Sequence, residues 1–206
     1  MAIKALIIDL DNTIYPVPSI GEELFKPFFD VLEESGEYEG DLDAVEQDMM
    51  RIPFQKVAKK YKFSEQLKQQ GDEILRNLKY EKDIPPFEDY KELQALPQQK
   101  FLVTTGYTNM QESKVEKLNL RNDFAEVHIV DPSKSDLTKK DVFRSIVERY
   151  KYAASEVLVI GDDPESELKA GRELGLGTVL YAKDDTAHGN ISPRITHFGQ
   201  LKEFLA

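Results

Sequence analysis

The chain has 206 residues, 40% hydrophobic and 32% charged, enough to bury the core of one good-sized domain or of a domain with a modest insertion. Its 27 basic and 38 acidic residues leave a formal charge of −11, which argues against a nucleic-acid partner, since such proteins gain affinity by neutralising phosphates. There is no cysteine, hence no disulfide or thiolate metal site, and the longest apolar run near the start, Ala5–Ile8, is too short for a signal peptide or membrane span.

A cysteine-free chain suits a reducing interior, and the cytoplasm is the expected location. An anionic substrate would have to be met locally, by lysines, backbone amides or a bound cation.

The first predicted element is a buried strand over Ala5–Ile8, which runs into Asp9-Leu10-Asp11-Asn12-Thr13. Residues two apart on extended backbone face the same way, so Asp9 and Asp11 can share one site. Two close carboxylates need not ionise alike, and a cation between them lets one stay charged while the other holds a proton. Asp and Asn are also common turn formers, and a plain turn accounts for the same residues.

From Tyr15 to about Lys82 no strand run occurs. Apolar residues recur there at helical spacing: Leu24, Phe28, Val31 and Leu32, then Phe54, Val57, Ala58 and Tyr61, then Ile74, Leu75 and Leu78. The pattern predicts an inserted helical cap with Phe25, Phe28 and Phe29 in its core. Pro16 and Pro18 at one end, and Pro85 and Pro86 at the other, suit hinges. Helices packed directly on the sheet are the alternative. Tyr15 reads equally as a residue of the pocket entrance or of hinge packing.

The second predicted strand, Phe101–Val103, ends in Thr104, Thr105 and Gly106. Hydroxyls followed by glycine can offer donors and free amides to a phosphate. They can also begin the next helix, roughly Thr108–Leu118, with Thr105 or Thr108 as its cap. A third strand, Val127–Val130, precedes a helix over Lys139–Tyr150. Lys134, Lys139 and Lys140 lie near the start of that helix, where the dipole does not favour cations. They are candidates for phosphate binding or simply a solvated face.

The fourth strand, Val157–Ile160, leads into Gly161-Asp162-Asp163-Pro164-Glu165-Ser166-Glu167. Asp163 as N-cap and Pro164 as first residue would start a helix reaching Leu174, with Glu165 and Glu167 at its positive end. Asp162 is not needed for that and would suit a hard cation such as Mg2+. A fifth strand is predicted at Thr178–Tyr181. Strands alternating with helices make an α/β fold, a parallel sheet with helices on both faces and its ligand site at the carboxyl ends of the strands.

Other features carry no function. His128, His188 and His197 lack metal-ligand spacing, and Asn190-Ile191-Ser192 matches a glycosylation acceptor by chance. Neither a Walker A loop nor a Gly-x-Gly-x-x-Gly is present.

From residue 4 to about 181 these pieces together resemble the haloacid dehalogenase superfamily. The first motif of that family, Asp-x-Asp-x-Thr after a hydrophobic strand, corresponds to Asp9-Leu10-Asp11-Asn12-Thr13. The second corresponds to Thr104, the third to Lys139, and the fourth to Gly161-Asp162-Asp163 with Glu167. The resemblance implies a Rossmann-like core, residues 1–14 and 83–206, with a helical cap over residues 15–82. It implies Asp9 as nucleophile and Asp11 as acid and base. Mg2+ would be held by Asp9, Asp162 and the backbone carbonyl of Asp11, with Asp163 or Glu167 behind, and Thr104, Thr105 and Lys139 would hold the phosphoryl oxygens.

Two departures stand out. Thr105 is where many relatives have Asn, and no Lys-Pro pair marks the third motif, so Lys139 is chosen over Lys134 and Lys140. The stretch Asp9 to Pro16, DLDNTIYP, looks most like nucleotidase-like and small-molecule phosphatase members. The implied reaction is Mg2+-dependent hydrolysis of a small phosphorylated metabolite, such as a nucleoside or sugar phosphate, through an aspartyl-phosphate. Phosphomutase chemistry and a non-catalytic phosphate-binding or interaction module are the alternatives. Dehalogenation is disfavoured by Asp11, and no membrane partner is implied. Oligomeric state is not encoded in any motif.

Overall fold

Strands that are apolar at every position must be covered on both faces, and the chain builds its sheet from such runs. The computed structural model describes residues 2–183 and 193–205, so His188 and Asn190-Ile191-Ser192 lie outside the described residues. The strands are β1 (Ala5–Ile8), β2 (Gln99–Thr105), β3 (Glu126–Val130), β4 (Val157–Gly161), β5 (Gly177–Tyr181) and β6 (Arg194–Ile195). All pair in parallel, in the order β3-β2-β1-β4-β5-β6. The first five match the predicted runs. β6 has only two residues, too few for any periodicity to reveal.

The helices are α1 (Gly21–Ser35), α2 (Leu42–Met49), α3 (Phe54–Lys60), α4 (Glu65–Asn77), α5 (Tyr90–Gln94), α6 (Thr108–Lys117), α7 (Lys139–Tyr150) and α8 (Glu167–Glu173). Side chains alternate across the pleat. Ala5, Ile7, Phe101, Val103, Val157 and Val159 therefore pack with Phe143 and Ile146 of α7 and Leu168 of α8. Leu6, Ile8, Leu102, Leu158 and Ile160 face the other way, into one buried cluster shared with α5, α6 and the helical insertion α1–α4.

The insertion lies between β1 and β2 and has an aromatic centre. Phe28 meets Phe54 edge-on at 5.4 Å and Phe63 at 6.2 Å. Gly71 on α4 makes room for it, since a Cβ there would come within 2.6 Å of Phe54 and 2.8 Å of Phe28. Asp41 and Ser64 cap α2 and α4 by accepting from the amides of Ala44 (3.2 Å) and Leu67 (3.0 Å). Among the described residues no helix is long and apolar enough to cross a membrane.

One helix starts later than its sequence suggests. Asp163 and Pro164 do not open α8, whose N-cap is Ser166. The Asp163 carboxylate accepts from Glu165 N (2.8 Å), and the Asp163 amide donates to Glu167 Oε1 (2.7 Å). A side chain reaching back has replaced the first helical turn with a tied loop.

Asp89, just before α5, is buried and holds the far edge of the sheet. Its carboxylate accepts from Tyr181 OH (3.0 and 3.1 Å) and Phe198 N (2.8 Å), and pairs with Lys183 Nζ (2.8 Å). Burial raises its pKa, but the bonds from Lys183, Phe198 and Tyr181 outweigh this and hold it below its ordinary value. A depressed folded pKa gives stability that is present above the unfolded pKa and lost as pH falls through the folded one. Asp89→Asn should therefore cost about 1.5–3 kcal/mol at neutral pH, and the gap in melting temperature between variant and parent should close as the solution is acidified.

Candidate active site

The site forms where β1, β2 and β4 end side by side. Ala5–Ile8 pair residue by residue with Gln99–Leu102 on one flank and Val157–Ile160 on the other. The Asp9 amide continues that ladder by donating to Ile160 O (3.0 Å). Asp9 is thus fixed at the lip of the central strand, 6% exposed. Lys139, the first residue of α7, donates from Nζ to Asp9 Oδ1 (2.7 Å) and Glu167 Oε2 (2.8 Å). A reciprocal capping box between Thr138 and Asp141 fixes the start of that helix.

Asp9, Asp162 and Glu167 each present a carboxylate oxygen within 4.8 Å of the others. Glu167, expected to support this set from behind, reaches as close as the other two and shares Lys139 with Asp9. Gly161 lets it enter, because any Cβ at that position would run into the Glu167 carboxyl. Burial, then the charges of Glu167 and Asp9, push the Asp162 pKa well up. Burial also raises Asp9, with Lys139 working against it. Burial opposes the Lys139 charge, but Asp9 and Glu167 more than compensate and raise its pKa. Three acidic side chains gathered around one ammonium make a cluster of hard oxygen donors. That donor set fits a divalent cation.

Asp11 lies three residues beyond β1, where it forms an isolated bridge with Tyr15, and Asn12, which opens the turn between them, takes the left-handed conformation (φ 56°). Its carboxylate is held by three donors: Lys114 Nζ (2.8 Å) and Tyr15 OH (2.5 Å) on Oδ1, and Gln111 Nε2 (2.9 Å) on Oδ2. Burial would raise the Asp11 pKa, yet Lys114, Tyr15 and Gln111 lower it overall. Tyr15 is fully buried, so it supports Asp11 from below and is not at an entrance. Gln111 also donates to Thr104 Oγ1 (2.7 Å), linking Asp11 to the end of β2.

Gln111 and Lys114 were not singled out by sequence. They sit three apart on α6, directly after the Thr104-Thr105-Gly106 strand end, and that spacing puts them on one face. Polar residues there read as solvated until the structure shows both buried.

The other candidates divide clearly. Thr104 is buried at the end of β2, and Thr105 lines the same cleft as Asp9. Neither Thr105 nor Thr108 caps α6. Asp131, after β3, accepts from both the amide (2.8 Å) and hydroxyl (2.7 Å) of Thr108. Lys134 donates to the Thr108 hydroxyl (2.8 Å), and Lys140 pairs with Glu173 (2.6 Å). Of the three lysines, Lys139 is the one bonded to Asp9. His128 lies 2.6 Å from a Glu126 oxygen, and His197 Nδ1 accepts from Gly199 N (2.9 Å).

Asp9, Asp11, Thr104, Lys114, Lys139, Asp162 and Glu167 floor a cleft of about 100 Å3 that opens to solvent. The insertion walls it with Phe25, Leu75 and the stretch Met49 to Gln55, whose turn joins α2 to α3. That turn is docked on the floor, since Asn12 Nδ2 donates to Met50 O (3.3 Å). The Met50 side chain packs on Gly21, where a Cβ would lie 2.6 Å from its sulfur.

A family model described as a haloacid dehalogenase-like hydrolase matches residues 3–175. No curated protein matches the sequence. Among solved structures, a candidate phosphatase from Clostridium difficile superimposes with a TM-score of 0.73 at 14% identity, covering 100% of both chains. The candidate haloacid dehalogenase hydrolase YfnB from Bacillus subtilis, bound to magnesium in its orthorhombic crystals, gives 0.67 at 20% identity, covering 100% of this chain and 99% of its own. L-2-haloacid dehalogenase from Xanthobacter autotrophicus gives 0.57 at 14% identity, covering 99% and 100%. At these identities the likeness is one of fold.

Proposed function

This chain belongs to the haloacid dehalogenase-like hydrolases, and from that premise we propose that it hydrolyses small phosphate monoesters through an aspartyl-phosphate on Asp9. The observation that carries the reading is the pairing of two differently held carboxylates. Asp9 shares Lys139 with Glu167 beside Asp162, and Asp11 is gripped separately by Lys114, Tyr15 and Gln111.

In the first half-reaction an Asp9 oxygen attacks phosphorus, the ester P–O bond breaks, and the leaving oxygen takes a proton from the Asp11 carboxyl. In the second, Asp11 takes a proton from water as its oxygen attacks phosphorus. The acyl-phosphate P–O bond then breaks, returning Asp9 and releasing phosphate. An Asp11 that accepts three hydrogen bonds is a carboxylate, the form the second half needs. To act as the acid it must carry a proton, for which Oδ2, accepting from Gln111 while Lys114 and Tyr15 sit on Oδ1, has a second lone pair. Lys139 neutralises charge on the phosphoryl oxygens, and Thr104 offers a hydroxyl already oriented by Gln111.

Asp9, Asp162 and Glu167 are the residues that would hold Mg2+. When bound, the ion supplies the positive charge that lets a phosphate dianion approach these carboxylates. A dehalogenase would use the same nucleophile on carbon and would have no work for Asp11 as acid.

The test is phosphate release from an aryl phosphate with Mg2+, its loss with EDTA, and halide release from a short 2-haloacid. Phosphate release that EDTA abolishes is the expected result. Halide release without phosphate release would replace this reading with dehalogenation.

A further inference from the structure

The cleft has one cation that its own protein leaves unused. Of the arginines in the described residues, Arg76, Arg121, Arg144 and Arg149 each pair with a carboxylate, Arg172 donates to Pro164 O, and Arg194 is also engaged. Arg51 alone among them shows no partner for its guanidinium. Yet the chain carries a formal charge of −11, so carboxylates are plentiful. The acid nearest in sequence, Asp48, is taken up by Lys60 Nζ (2.5 Å) and Tyr61 OH (2.9 Å).

Arg51 is exposed and lines the same cleft as Asp9, Lys139 and Asp162. Its backbone is not free to wander. The Arg51 amide donates to Asp48 O (3.0 Å) and that of Ile52 to the same oxygen (2.9 Å), while Met50 is docked on Asn12 and Gly21. Its cleft-lining neighbours Met49, Met50, Ile52, Pro53 and Phe54 are apolar. The wall supplied by the insertion is therefore a greasy surface bearing one unpaired guanidinium, opposite a floor that handles phosphate.

We propose that Arg51 binds a second anionic group on the substrate, so that the natural ester is a small molecule with a phosphate at one end and a carboxylate or second phosphate at the other. This rests on the phosphatase reading above. A guanidinium is suited to the task, since its planar fork matches both carboxylate and phosphate with two parallel hydrogen bonds. Placed on an apolar wall, it selects by a pairing that a neutral group cannot supply.

The test compares matched pairs in the presence of Mg2+: phosphoglycerate against glycerol phosphate, and a hexose bisphosphate against the hexose monophosphate. The wild-type protein should favour the doubly anionic member of at least one pair in kcat/KM. The pair that shows it identifies carboxylate or phosphate as the group read. Arg51→Met should cut that selectivity ratio by about 10- to 100-fold, and Arg51→Lys should restore part of it. The same pairs are titrated by calorimetry into the Asp9→Asn protein, which reads binding without turnover.

Equal use of both members of each pair, or an Arg51→Met loss that is the same for both, would overturn the proposal. Selective binding without phosphate release by the wild-type protein would retain Arg51 as the anion reader and remove the phosphatase reading instead.

Discussion

Replacing Asp9 with Asn is expected to lower kcat for phosphate release by on the order of 10⁴-fold or more, with the fold intact. The amide occupies the same space but has no charged oxygen to attack phosphorus. Stability should not suffer, because the native carboxylate is a charge in a buried place, its pKa raised first by burial. Lys139 keeps Glu167 as a partner in the variant. The checks are single-turnover phosphate release and a thermal melt run side by side. Full activity in Asp9→Asn would end the case for a covalent intermediate at this residue, and an unfolded variant would show that its carboxylate is needed structurally.

Lys139→Met should fail in a different way. The methionine chain fills much the same volume but leaves Asp9 and Glu167 without the ammonium between them. Removing one partner of a buried ion pair strands the other charge, which costs about 3–5 kcal/mol. The metal-free variant should melt correspondingly lower, and its activity should drop on the order of 10²- to 10³-fold from lost charge neutralisation. Added Mg2+ should raise the melting temperature of Lys139→Met more than that of the parent, because the stranded carboxylates then gain a cation. A melting temperature unchanged by the substitution would mean that Lys139 does not hold the cluster together.

Much of the sheet was legible in the sequence because buried parallel strands announce themselves as short runs of β-branched and large apolar residues. Ala5–Ile8 and Val157–Ile160 could be read almost to the residue. The edge strand Arg194–Ile195 could not, since two residues carry no period. The start of α8 misled for a physical reason. Asp163-Pro164 has the composition of a helix start, but the chain spends the Glu167 side chain on the Asp163 amide, an interaction between residues that no local propensity reports. Gln111 and Lys114 were illegible for a related cause. On a helix their types signal solvent, and only the path of β1 into its turn brings Asp11 within 2.9 Å of Gln111 Nε2 and 2.8 Å of Lys114 Nζ.

The position of β1 at the middle of the sheet has an evolutionary corollary. With a neighbour in register on each flank, the strand that delivers Asp9 cannot shift without dragging β2 and β4 along. The wall that the insertion supplies, Phe25, Leu75 and the stretch Met49 to Gln55, carries no such constraint, and an exchange there alters the chemistry of the cleft and disturbs no strand. A lineage built this way can change its diet by editing a handful of codons while its reaction stays fixed.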